Sequence, residues 1–81
     1  MRVFSKGSVQ IDVYPRDHDP VHCHVDIENG KYRFRVYLPD YSIDLVDNSP
    51  LPPTAMIREI LDLVKSNRTI IGQTWRRFHG N

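Results

Sequence analysis

The chain has 81 residues, of which 40% are hydrophobic and 26% are charged, and its formal net charge is +1. This length predicts one domain with a small core, and the near-neutral charge excludes a protein whose whole surface binds nucleic acid. A single cysteine excludes an internal disulfide. No apolar run approaches the roughly 20 residues of a membrane span, so we expect a cytoplasmic protein without a membrane partner.

The positive charges are concentrated in the last third of the chain. Residues 1–50 contain six Lys or Arg and eight Asp or Glu, whereas residues 51–81 contain five and two, and no acidic residue follows Asp62. This asymmetry fits an acidic partner, and it equally fits a solvated helix face.

Alternating apolar and polar side chains predict short strands in the first half. Arg2–Ser5 is short and is either an edge strand or a frayed start, and Ser8–Tyr14 alternates along its whole length. Residues 15–20 form a loop that begins and ends with proline. Tyr41–Val46 offers a last strand, with its odd-numbered residues facing inward.

The strongest structural signal is a hairpin over Val21–Leu38. Two alternating runs flank Asn29 and Gly30, a pair that favours a type I′ turn because both central residues need positive φ. This turn places Asp26 opposite Arg33, and the meeting of opposite charges supports the register. The side chains expected inward are Val21, Cys23, Val25, Ile27, Tyr32, Phe34, Val36 and Leu38. Those expected outward are His22, His24, Asp26, Glu28, Lys31, Arg33, Arg35 and Tyr37.

The apolar spacing changes to a helical period after Pro52 and Pro53, which suit a helix entrance. Asn67 separates two apolar stripes and is a candidate N-cap, so residues 54–79 form two helices, or one helix bent there. Gly80 is the expected stop. The two stripes are Met56, Ile57, Ile60, Leu61 and Val64, and then Ile70, Ile71, Thr74, Trp75 and Phe78.

These elements predict an α+β fold, an antiparallel meander of three to four strands packed on one face by one or two C-terminal helices. The expected single domain over residues 1–81 divides into a sheet at 1–47, a linker at 48–53 and helices at 54–79. We expect a monomer or a homodimer.

Histidines and aspartates cluster before and within the hairpin. His18, His22 and His24 lie within seven residues, and the last two share one face of a strand. A closed zinc site usually has four ligands, often thiolates, whereas the only cysteine faces inward and Arg35 lies opposite His24. We therefore predict no metal and no cofactor. In this interpretation Asp17 and His18 cap the loop, and the strand histidines form solvated cross-strand pairs.

The outward face of the sheet also carries a set of residues that could act in catalysis. Histidines that titrate near neutrality can move a proton, and arginine can stabilise a phosphorane-like dianion. The set has no diagnostic spacing, so we favour a protein that is not an enzyme. The candidate catalytic residues are His22, His24, Arg35 and Tyr37.

The basic C-terminal segment is the third candidate. Its cations lie beside Trp75 and Phe78 and could grip phosphates while the rings stack on bases. The alternative is that both aromatic residues continue the apolar stripe that packs in the core, and that the cationic side chains lie in solvent at its edge. The candidate binding residues are Arg68, Arg76, Arg77 and His79.

A family resemblance rests on residues 17–25, which read D-H-D-P-V-H-C-H-V, and on the tail I-R-E-I-L followed by Asn67 and Trp75. The pattern D-H-x-P-x-H-x-H-V with this tail resembles the small bacterial domain-of-unknown-function family 4160, over roughly residues 7–80. Val21 stands where the family motif has a second proline, and Cys23 stands where it has valine. Both keep an inward apolar side chain.

The resemblance implies a stand-alone bacterial or phage protein encoded in or near toxin–antitoxin gene pairs, and it assigns no activity. It singles out Asp17, His18, Pro20, His22 and His24 without giving them roles. We therefore expect a binding protein of a toxin–antitoxin-like or phage–host system, whose partner is another small protein or host complex, with RNA or DNA as a further partner class. The alternatives are a metal-independent ribonuclease and a phage-encoded inhibitor that docks on a host complex.

Overall fold

The computed structural model describes residues 1–46 and 48–80. Five strands form one antiparallel sheet in chain order, so the predicted α+β fold is confirmed with one strand more than the upper expectation. None of the described helices has the length and apolar character needed to span a lipid bilayer. The strands are Arg2–Lys6 (β1), Val9–Asp12 (β2), His22–Ile27 (β3), Tyr32–Tyr37 (β4) and Ile43–Leu45 (β5). The helices are Thr54–Ser66 (α1) and Arg68–His79 (α2).

The β3–β4 hairpin has the predicted register along all six residues of each strand. Asn29 and Gly30 have φ values of 56° and 89°, as a type I′ turn requires. The Lys31 amide donates to the Glu28 carbonyl across this turn at 3.2 Å. Glu28 itself has a positive φ of 53°, which the sequence did not predict. Its amide donates to the Ser8 carbonyl at 3.1 Å, which links the turn to the segment that leads into β2.

The inward face of the sheet and one face of each helix form a common core. Two expected inward positions fail: Leu45 is 37% exposed and Ile70 is 42% exposed. Leu45 ends a three-residue edge strand, and Ile70 is rotated by about 100° around the helix axis from the buried Ile71. The buried apolar residues are Ile11, Val13, Cys23, Val25, Ile27, Phe34, Val36, Ile60, Val64, Ile71 and Trp75.

The two helices are separated at Asn67, whose φ is −107°. The sequence predicts that the Asn67 side chain caps α2, but it does not. Its Nδ2 atom donates instead to the Leu63 carbonyl of α1 at 2.8 Å. Arg68 Nη1 likewise donates to the Lys65 carbonyl at 2.8 Å. The last carbonyls of a helix lack partners within it, so both side chains stabilise the end of α1. Gly80, with a φ of 71°, follows α2 as predicted.

Candidate functional site

The loop before β3 brings a carboxylate onto the two histidines of that strand. Asp17 Oδ2 lies 2.8 Å from His24 Nε2 and 3.2 Å from His22 Nε2. The two imidazole rings are 5.2 Å apart because alternate residues of a strand project to the same side. These three residues are called the Asp–His cluster below.

His22 is buried, with 6% of its surface exposed, although the alternation of β3 places it on the outer face. Its ring lies 5.2 Å from that of Trp75 in α2 and 5.0 Å from that of Tyr37. The Nδ1 atom lies 2.8 Å from the carbonyl oxygen of Pro20, which can only accept a hydrogen bond. The prediction of solvated pairs is therefore wrong for His22, because an aromatic ring from the second helix covers it.

The C-terminal end of α2 holds the loop that carries Asp17. His79 Nε2 contacts the backbone carbonyl of Asp17 at 2.6 Å, and Nδ1 contacts that of Trp75 at 2.9 Å. The His79 ring is stacked on the Trp75 ring with centroids 4.0 Å apart. Both nitrogens of this candidate binding residue thus face carbonyl oxygens, and its side chain ties the loop to the helix.

The candidate catalytic residues are only partly brought together. His22, His24 and Tyr37 are neighbours, whereas the Arg35 guanidinium bonds to Asp44 of β5. This hydrogen bond is the main cause that raises the pKa of Arg35. Among the described residues, the buried Nε atom of Arg35 has no hydrogen-bond partner. The guanidinium is therefore directed to a neighbouring strand, where it is already paired.

Two ionisable groups outside the cluster, Tyr14 and Cys23, have raised pKa values. The Tyr14 ring meets His24 edge-on at 4.8 Å. Burial, followed by the nearby carboxylates of Asp12 and Asp26, raises the pKa of Tyr14. Cys23 faces the core, where burial raises the pKa of its thiol to about 12. Cys23 is 0% exposed and lies on the opposite face of β3 from His22 and His24, so it does not contribute to the Asp–His cluster.

The candidate binding residues on α2 differ in their surroundings. Arg76 and Arg77 are exposed and make no ion pair with any residue in the described ranges. The Arg76 guanidinium lies close to Gly72, where a Cβ atom would stand 3.3 Å from Nη1. Arg68 contacts the end of α1, as described above. A shallow groove beside these side chains is lined by Leu38, Pro39, Tyr41, Arg68, Thr69, Gly72 and Arg76.

The residues of the Asp–His cluster were predictable as candidates from the motif, but their proximity to one another was not. The sequence predicts that Asp17 and His18 cap their loop, whereas the Asp17 carboxylate bonds to His24 and contacts His22, and His18 is exposed. Asp44 was missed, although its place opposite Arg35 in an alternating last strand was a usable signal. No local signal could have shown that Trp75 covers His22.

Comparisons with known proteins identify no relative: no protein-family model, curated protein or solved structure matches this chain. The resemblance to family 4160 stays a prediction from the motif.

Proposed function

We propose that the protein is a small binding protein that recognises an acidic surface of another protein through the exposed side of α2. The observation that carries this proposal is the contrast between paired and unpaired arginines. Arg33 lies 3.1 Å from the carboxylate of Asp26, and Arg35 pairs with Asp44. Arg76 and Arg77 find no such carboxylate within the ranges 1–46 and 48–80.

The sequence of α2 explains why these charges stay uncompensated. Side chains three and four positions apart on a helix are neighbours, and opposite charges there form ion pairs. The positions at those distances from Arg76 hold Gly72, Gln73, His79 and Gly80, none of which is acidic. The guanidinium groups therefore remain available to carboxylates of a partner.

The groove beside the arginines favours a protein partner over a nucleic acid. Its wall includes Leu38, Pro39 and Tyr41, and the Lys65 ammonium lies 5.2 Å from the centre of the Tyr41 ring. Ile70 on the same helix is 42% exposed. Arginine and aromatic side chains beside apolar surface are typical of protein interfaces. The motif resemblance supports a partner from a toxin–antitoxin-like or phage–host system, either a small protein or a host complex.

The ribonuclease alternative has less support from the geometry. A base must reach the proton that it moves, but the side chain of His22 is only 7% exposed. Arg35 already pairs with Asp44, so its charge is partly neutralised before any phosphate could bind. A phage inhibitor that docks on a host complex would use the same basic surface as the favoured function.

The test is a pull-down with the tagged protein, analysed for both protein and RNA, followed by affinity measurements with the purified partner. The double variant Arg76→Ala/Arg77→Ala should weaken binding by about 10-fold or more, since the loss of even one charge-assisted contact costs about 1.5–3 kcal/mol. The affinity of the partner for the unchanged protein should fall as the salt concentration is raised. Its affinity for the double variant should fall less steeply.

The matched control is Lys31→Ala/Arg33→Ala, which removes the same charge from two exposed positions of the hairpin and should leave binding within about twofold. Unchanged affinity in a folded double variant of α2 would contradict the proposal. Recovery of RNA or DNA, with no protein that binds after nuclease treatment, would reassign the surface to nucleic acid.

A further inference from the structure

The Asp–His cluster has the composition and spacing of a metal-binding site. Its three ligand atoms are Asp17 Oδ2, His22 Nε2 and His24 Nε2, and all lie within 4.8 Å of one another. Bonds of about 2.1 Å around a tetrahedral zinc ion place neighbouring ligand atoms about 3.4 Å apart. The two contacts of Asp17, at 2.8 and 3.2 Å, already approach that separation. Small side-chain rotations would bring the two imidazole nitrogens to it.

His22 is oriented as metal-binding histidines usually are. Its Nδ1 atom lies 2.8 Å from the Pro20 carbonyl oxygen, which can only accept a hydrogen bond, so Nδ1 carries a proton and Nε2 is the nitrogen available to a metal ion. Nε2 faces Asp17 Oδ2 at 3.2 Å. A metal ion bound to both atoms would replace this direct contact.

The carboxylate is held in place from a second direction. The backbone carbonyl of Asp17 is bonded by His79, whose ring stacks on Trp75. The same Trp75 ring packs on His22, so one aromatic residue supports ligands from both the loop and the strand. Supporting contacts of this kind keep ligands close to their productive geometry in the absence of the ion.

The objections that the sequence raised against a metal are weaker in the structure. Arg35 stands opposite His24 in the sheet, but its guanidinium is bonded by Asp44. Thiolate is not required, because catalytic-type zinc sites use three protein ligands from histidine and carboxylate and leave a position for water. The His24 and Asp17 side chains are 23% and 22% exposed, which gives an ion and water access.

We propose that Asp17, His22 and His24 bind a divalent first-row transition-metal ion, for which Zn²⁺ is the best fit. Imidazole nitrogen with a single carboxylate favours this class over Ca²⁺ and Mg²⁺, which prefer oxygen ligands throughout. The bound ion joins the loop to β3 and carries at least one exchangeable water. This inference is independent of the function proposed for α2.

The test uses the full chain, stripped of metal with a chelator and titrated with Zn²⁺ by calorimetry and thermal melting. We expect one equivalent to bind, and a Zn²⁺ concentration 100-fold above Kd to raise the melting temperature by roughly 10–20 °C. Co²⁺ in place of Zn²⁺ should show visible d–d bands without a thiolate charge-transfer band. No binding, or a thiolate band that implicates Cys23, would overturn the proposal.

The variants Asp17→Asn and His24→Gln keep side-chain size at the two less buried ligands, so they should fold. Each should lower Zn²⁺ affinity by more than about 100-fold, beyond the loss typical of residues that only orient a ligand. The matched control is His18→Gln, which alters the exposed histidine of the same loop and should bind as the unchanged protein does. Equal losses in all three variants, or undiminished binding in both folded ligand variants, would refute the site.

Discussion

The outer face of the sheet and the exposed side of α2 differ in whether their arginines are paired with carboxylates. On the sheet, arginines meet carboxylates from neighbouring strands, as Arg33 meets Asp26 and Arg35 meets Asp44. On α2, Arg76 and Arg77 extend into solvent without such partners among residues 1–46 and 48–80. The histidines follow the same division, since those of β3 share a carboxylate whereas His79 binds only carbonyl oxygens.

The difference shows how secondary structure distributes counter-charges. A strand acquires neighbours from two other strands, so a carboxylate far away in sequence can compensate an arginine. A helix on the surface depends mainly on its own residues one turn away, and α2 contains no acid. A surface of the first kind is internally satisfied, whereas one of the second kind is available to a partner.

The largest difference in the free energy of unfolding is expected between a substitution at a buried apolar position of the sheet and one at an exposed apolar position of α2. Val25→Asp should unfold the protein, because Val25 is 1% exposed and an unpaired buried charge costs several kcal/mol of a total near 5–15 kcal/mol. Ile70→Asp on α2 should cost less than about 1 kcal/mol, since Ile70 is 42% exposed. Urea unfolding followed by circular dichroism measures both. Similar losses would contradict the inward and outward assignment.

A smaller contrast separates two histidines of the motif. His22→Ala should lower the free energy of unfolding by about 2–4 kcal/mol, because it removes a buried ring packed on Trp75 and leaves the Pro20 carbonyl without its donor. His18→Ala, at an exposed position, should stay within about 0.5 kcal/mol. Denaturant midpoints for the metal-free protein give both values. An equal effect of the two changes would show that His22 is not buried as described.

The smallest effect on stability is expected from a substitution that removes the carboxylate partner of an arginine. Asp44→Asn should cost less than about 1 kcal/mol, because the Arg35 and Asp44 side chains are 34% and 51% exposed. It should nevertheless raise the salt concentration at which the protein elutes from heparin, since Arg35 is released. Asp40→Asn changes the net charge equally and frees no arginine, so its shift should be smaller. Equal shifts would mean that pairing does not decide which arginines are available.

The hairpin and the helical stripes were predictable from residues close in sequence. Asn29 and Gly30 supply the positive φ values of the turn, and strict alternation excludes a slip of one residue that would bury the charges. The break at Asn67 was predictable for a similar reason, although its side chain caps the helix before it rather than the helix after it. The number of strands was underestimated because the formation of an edge strand such as β1 depends on its neighbour more than on its local pattern.

What the sequence alone determined is therefore the α+β class, the hairpin register and the candidate residues, because turn geometry and side-chain period act over a few positions. Only the tertiary structure decided that Asp17 lies between His22 and His24, and that the carbonyl of Asp17 is bonded by His79, 62 positions along the chain. Contacts across such a distance depend on how the helices pack on the sheet. This packing depends on the shape of the whole core, to which Trp75 contributes, so it cannot be predicted from a local sequence pattern.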